Sequence, residues 1–170
     1  AETNAIVVTN AGATVVRGSL SQTYDGAAKS AKATTDPTGL AVDFTYDGSG
    51  AAPVNAGSHV VTGVVNDAIF QGSATGTLVI GKGAAVVTLE SLSQEYSGTP
   101  RSATATTVPA GLAVEFTYDG STNAPMARGS YAVTGTVNDV NWQGASAGTL
   151  LIDMGAATVT LANLAQEYDG

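Results

Sequence analysis

The chain is 170 residues long and sets 14 acidic against 6 basic side chains, a formal charge of −8, which excludes nucleic-acid binding driven by phosphate attraction. With no Cys and a single His it can form neither disulfides, thiolate nucleophiles nor Cys or His metal clusters, so composition argues against an enzyme. Twenty-one Gly, 6% aromatics and no apolar run approaching the ~20 residues of a membrane span describe a β-rich chain with no membrane insertion in this segment.

Self-similarity organises everything else, because a repeat missed at the outset misreads the fold. SLSQTYDG at 19–26 returns as SLSQEYSG at 91–98 and as NLAQEYDG at 163–170, a period of 72 residues. Laid without a gap over 85–156, residues 13–84 share 42 of 72 positions, so the two copies must share one fold. Residues 1–12 align in register with 73–84 and with 145–156. They are therefore expected to be the C-terminal strand of a preceding repeat. Complete repeats follow at 13–84 and 85–156, and 157–170 open another, so the segment is expected to be a window on a longer array.

In chain order, Val15 and Leu20 (Val87 and Leu92 in the copy) open a unit. The Ala-rich stretch AAKSAKATT follows and is read as a strand of small residues, since its copy TPRSATATT carries Pro100 early and Thr late. Leu40, Val42, Phe44 and Tyr46 alternate with Ala41, Asp43, Thr45 and Asp47, the period-two pattern of a half-buried strand. His59, Val61, Gly63 and Val65 give a second such run, and Leu78 with Ile80 close the unit. Turn chemistry separates the runs at Tyr24-Asp25-Gly26, Pro37-Thr38-Gly39, Asp47-Gly48-Ser49, Pro53 to Gly57, and Asn66-Asp67 through Gln71-Gly72. Short strands at this spacing predict an all-β architecture of tandem small Ig-like antiparallel sandwiches, each of five or six strands and arranged head to tail. A β-grasp-like arrangement is the alternative.

The blocks YDG, PTGLAVDFTYDGS, APVNAGSHVVTGVVND and FQGSATGTLVI resemble MBG or YDG-type tandem repeats of very large bacterial surface and secreted proteins. The likeness covers both complete units. It implies a β-domain of an adhesin or stalk, located outside the cell or on its surface. The family's aromatic before the final Gln-Gly is supplied by Phe70 and Trp142 and its Tyr by Tyr131, whereas His59 departs from the pattern.

Candidate sites are few. His59 lacks a His partner in its near twin, so a catalytic triad would exist in one unit and be missing from the other. Asp47, Asp67, Asp119 and Asp139 recur at matching places and are the candidates for a Ca²⁺ site, although Asp-Gly and Asn-Asp are also ordinary turn formers and no DxDxDG spacing is present. No cofactor is otherwise expected. Phe70 and Trp142, with Tyr24 and Tyr96, are expected to pack within the core or between repeats rather than stack on a sugar. The residues of 85–156 include no Lys, so a Lys–Asn cross-link cannot be general to the array.

The function expected is a structural stalk or fibre module without chemistry, partnered by adjacent repeats and by other copies laterally. The alternative is a multivalent array of weak sites for a host or matrix glycan or protein, or for Ca²⁺, within an adhesin.

Overall fold

A computed structural model of the chain describes residues 10–162 and Tyr168. The expectations for residues 1–9 and for 163–167 and 169–170 of the block at 163–170 lie outside the described residues. The strands are β1 (Ala11–Gly12), β2 (Thr14–Gly18), β3 (Ser21–Thr23), β4 (Lys32–Asp36), β5 (Val42–Tyr46), β6 (Gly57–Val65), β7 (Phe70–Gln71) and β8 (Ser73–Gly81). The second set is β9 (Gly83–Ala84), β10 (Val86–Glu90), β11 (Ser93–Glu95), β12 (Thr104–Val108), β13 (Val114–Tyr118), β14 (Gly129–Val137), β15 (Trp142–Gln143) and β16 (Ala145–Asp153). Each of these is displaced from its counterpart by 72 residues, the period of the sequence. No helix occurs among the described residues, so the β-grasp alternative, which needs a helix against the sheet, is set aside in favour of sandwich-like β repeats.

The chain forms two compact units, Ala1–Ala84 with Asp139–Gln143, and Ala85–Asn138 with Gly144–Gly170. In the first, a four-stranded sheet runs in the order β3-β8-β6-β5, with β3 parallel to β8 and the other neighbours antiparallel. An antiparallel ribbon of β2 and β4 faces it, β2 resting on β8 and β6. The second unit repeats the plan, with sheet order β11-β16-β14-β13 and ribbon β10-β12.

The opening segment changes layer at Ser19, which adopts a left-handed φ of 55°, as does Ser91. Before that residue the strand pairs with the ribbon and after it with the sheet. Gln22 secures the corner: its side-chain amide donates to the carbonyls of Ser19 and Ser30, both at 2.9 Å. Gln94 does the same with Ser91 and Ser102 at 2.8 Å. The recurring Ser-Leu-Ser-Gln block is thus the device that divides one strand between two layers.

Each core is small. Ala31, Tyr46, Val61, Leu78 and Ile80 form the first, and Ala103, Tyr118, Val133, Leu150 and Ile152 the second. The Tyr-Asp-Gly-Ser block makes a two-residue hairpin, with Asp47 (φ 50°) and Gly48 (φ 84°) both left-handed and Tyr46 and Ser49 exchanging main-chain bonds at 2.6 and 2.8 Å. Tyr46 then turns its ring into the core and its hydroxyl accepts the Ala31 N–H at 2.9 Å; Tyr118 accepts Ala103 likewise at 2.9 Å.

This bond explains one departure from expectation. Only Lys32–Asp36 of the Ala-rich stretch is strand, because the preceding amides are engaged elsewhere, Ala31 with Tyr46 and Lys29 with the Pro53 carbonyl at 2.8 Å. Similarly Leu40 precedes its strand, since its N–H donates to the buried Thr35 hydroxyl at 3.1 Å. In the Gln-Gly block, a Cβ on Gly72 or Gly144 would lie 2.2 Å from the carbonyl oxygen of Ala13 or Ala85, so only glycine admits the chain that crosses there.

Replacing Tyr46 or Tyr118 with Phe leaves a buried main-chain N–H without its acceptor, and each substitution is expected to cost about 1–3 kcal/mol. Urea unfolding of each variant measures this; an unchanged midpoint would show that the tie contributes nothing.

Candidate functional site

The carboxylates that recur with the period are bonded within the protein, to main-chain N–H groups or to nearby side chains. Asp47 accepts the Val60 N–H at 2.8 Å through one oxygen and His59 Nδ1 at 2.8 Å through the other. In the copy, Asp119 accepts Ala132 at 2.8 Å. Asp67 accepts Ile69 and Phe70 N–H at 2.7 and 2.9 Å, and Asp139 accepts Asn141 and Trp142 at 2.8 and 2.9 Å. Asp43 and Glu115 take the side-chain amides of Asn66 and Asn138 at 2.8 and 2.7 Å, tying the edge strand to the following turn. The four Ca²⁺ candidates therefore stand in separate turns. No group of three or more metal-ligating side chains occurs among the described residues.

His59 bridges Asp47 and the Asn55 carbonyl, which lies 3.3 Å from Nε2. Tyr131 reaches the same point in the copy, its hydroxyl donating to the Ala127 carbonyl at 2.8 Å. Two chemically unlike rings thus secure the same loop, a structural job that sequence spacing alone did not reveal.

The feature with the most specific geometry is where the first unit holds Asp139–Gln143. Trp142 meets Tyr24 edge to face, ring centroids 5.2 Å apart and planes at 89°. β15 pairs in parallel with β9, joining Trp142 with Gly83 and Gln143 with Ala84. Asn141 supplies the polar fit: its carbonyl accepts the Gly83 N–H at 2.8 Å, its side-chain oxygen accepts the Ala56 N–H at 2.8 Å, and its amide meets the Asn55 side chain at 3.2 Å. Lys82 adds a bond from Nζ to the Asp139 carbonyl at 2.5 Å. Gly83 is buried, and a Cβ there would come within 2.6 Å of the Trp142 ring and 2.8 Å of the Tyr24 carbonyl. This glycine serves close approach rather than bending. Phe70 is half-buried and pairs with Ala11, while Tyr96 is 44% exposed and stands apart from the second core. Of the four aromatics, then, Tyr24 and Trp142 are brought together and Phe70 and Tyr96 are not. Asn55, Asn141 and Gly83 were missed in the sequence, where the only signal was the substitution of Asn141 for Ile69 at an otherwise shared turn.

Two outcomes follow from this geometry. Gly83→Ala is expected to destabilise the first unit by about 1–3 kcal/mol through overpacking, whereas Gly12→Ala, with nothing within 4 Å of the added Cβ, should be near neutral. Equal effects in chemical denaturation would show that the Trp142 contact is not tight. Protonation supplies the other. The His59 contact, then the Val60 amide, holds the Asp47 carboxyl below its ordinary value, and the Ile69 and Phe70 amides do the same for Asp67. A depressed carboxyl stabilises the fold above the unfolded-state value, so stability should be flat above about pH 5 and fall as pH drops through about 4 and below. Urea midpoints measured against pH should show a shallower acid limb in Asp67→Asn than in the parent; identical slopes would mean that Asp67 is not linked to folding.

No curated protein matches the sequence. The family model described as MBG domain matches twice in tandem, at residues 13–84 and 85–156. Those two spans take in the sheet, the ribbon and the aromatic loop of each repeat, and the chain belongs to the MBG domain family.

Proposed function

We propose that the chain is a structural link of a repetitive bacterial cell-surface or extracellular protein, a stalk or fibre module that spaces other parts and performs no chemistry. One observation carries this reading: several of the polar side chains that recur every 72 residues make the same internal bonds in both repeats. Gln22 and Gln94, Tyr46 and Tyr118, Asp67 and Asp139 each hold main chain. The reading requires no metal or cofactor. Its partners are neighbouring repeats of the same chain and, in a fibre, other copies alongside.

A second support is the composition of the first unit. The chain leaves it at Ala84, returns to it at Asp139 and leaves again after Gln143, so that unit is completed by residues far downstream. A stalk benefits from such mutual dependence because a unit of this size buries a small share of its surface and is marginal alone.

Small-angle scattering on a series of proteins with two, four and six repeats tests the reading. The maximum dimension should grow by about one axial repeat per added unit. Growth with the cube root of mass, as for a compact globule, would reject the stalk.

A further inference from the structure

The second unit carries, displaced by 72 residues, the positions with which the first unit holds Asp139–Gln143. Tyr96 stands for Tyr24, Gly155 for Gly83, Met154 for Lys82 and Arg128 for Ala56. The floor of the groove is formed the same way: a Cβ on Gly155 would lie 2.4 Å from the Tyr96 carbonyl, just as one on Gly83 would lie 2.8 Å from that of Tyr24. What differs is exposure. Tyr24 is half-buried and Gly83 buried, whereas Tyr96 is 44% exposed, Met154 is 65% exposed and Gly155 lies open. An aromatic face beside an exposed methionine and a glycine is an apolar patch of the kind that marks a contact surface.

We propose that the Tyr96–Met154–Gly155 face is a docking site for the aromatic loop, of the type Asp-x-Asn-Trp-Gln, of a further repeat whose first strand starts at Ala157. The inference rests on the stalk reading and deepens it by naming the contact that joins a repeat to its successor. Two of the bonds that hold the loop in the first unit come from main-chain N–H groups, those of Ala56 and Gly83. Arg128 and Gly155 supply the same groups whatever their side chains. The incoming tryptophan would lie over Gly155 and meet the Tyr96 ring edge to face. The Lys82 bond has no counterpart, because Met154 replaces its ammonium with an adaptable apolar contact. Residues 157–162 keep Ala157, Val159, Thr160 and Leu161 in common with Ala85, Val87, Thr88 and Leu89, so a repeat begun there has the strand that leads to such a loop.

The test extends the chain past Gly170 with a copy of residues 99–156, completing a third repeat whose loop copies Asp139–Gln143. Amide hydrogen exchange at Arg128 and Gly155 is expected to slow at least tenfold on extension. Replacing the added tryptophan with Ala, or Tyr96→Ala, should each abolish that gain, the two together doing no more than either alone, while Tyr96→Phe keeps it. Exchange at Ala56 and Gly83 within the same sample gives the reference for a docked loop. Protection that does not change, or that survives loss of the added tryptophan, overturns the proposal. Should the added repeat not fold, the peptide Asn-Asp-Val-Asn-Trp-Gln-Gly at millimolar concentration supplies the loop to the 170-residue chain. Chemical-shift changes confined to Tyr96, Arg128 and Gly155 then support the site, and their absence or appearance elsewhere overturns it. Scattering still reports rod-like growth independently, so failure here and failure of the stalk reading are distinguishable.

Discussion

The structure of each repeat depends on one buried hydrogen bond, from the main-chain N–H of Ala31 or Ala103 to the hydroxyl of Tyr46 or Tyr118. The core around it contains five buried residues, two of them the Ala and Tyr of that bond. In so small an interior a tyrosine ring fills a large share of the volume, and its hydroxyl needs a partner that only the segment entering the ribbon can provide. The hairpin at Asp47-Gly48 aims the ring, the Ala31 amide is withdrawn from strand pairing to meet it, and the ribbon strand starts one residue later. Sheet, ribbon and loop are thus set by a single polar contact in an apolar setting.

Around that centre, side chains take over bonds that strands of this length leave unmade. Asx-type turns at Asp67 and Asp139 shape the aromatic loops, Gln22 and Gln94 hold the corner where the opening strand changes layer, and Thr35 and Thr107 close the loops before β5 and β13. The Asp and Gln bonds lie near the surface and each contributes modestly on its own, whereas Thr35 and Thr107 are buried. Their repetition at every unit is what makes the module reproducible, since no buried side-chain polar atom among the described residues lacks a partner.

The differences between the repeats are as informative as the identities. His59 and Tyr131 differ in ring chemistry and shape and yet reach equivalent carbonyls, at Asn55 and Ala127, so that position calls for reach and a polar tip in both repeats. Ile69 is 65% exposed where Asn141 is partly buried and bonds Asn55, Ala56 and Gly83. A loop of the same backbone pairing therefore carries either a polar or an apolar residue at its tip.

The sequence by itself determined the period of 72, the all-β class, the alternating strands at β5 and β6 and the turns between them, because periodicity and turn residues report local backbone preference directly. It also made carboxylates such as Asp67 legible as turn formers. Only the tertiary structure decided that the opening strand divides at Ser19 between two layers, that Ala27 to Ala31 stay out of the ribbon, and that Trp142 belongs with Tyr24 and Gly83 in the first unit. Those outcomes rest on partners far apart in the chain. A left-handed serine, a spare amide or a glycine that must be bare acquires its meaning from what packs against it, and no local pattern encodes that partner.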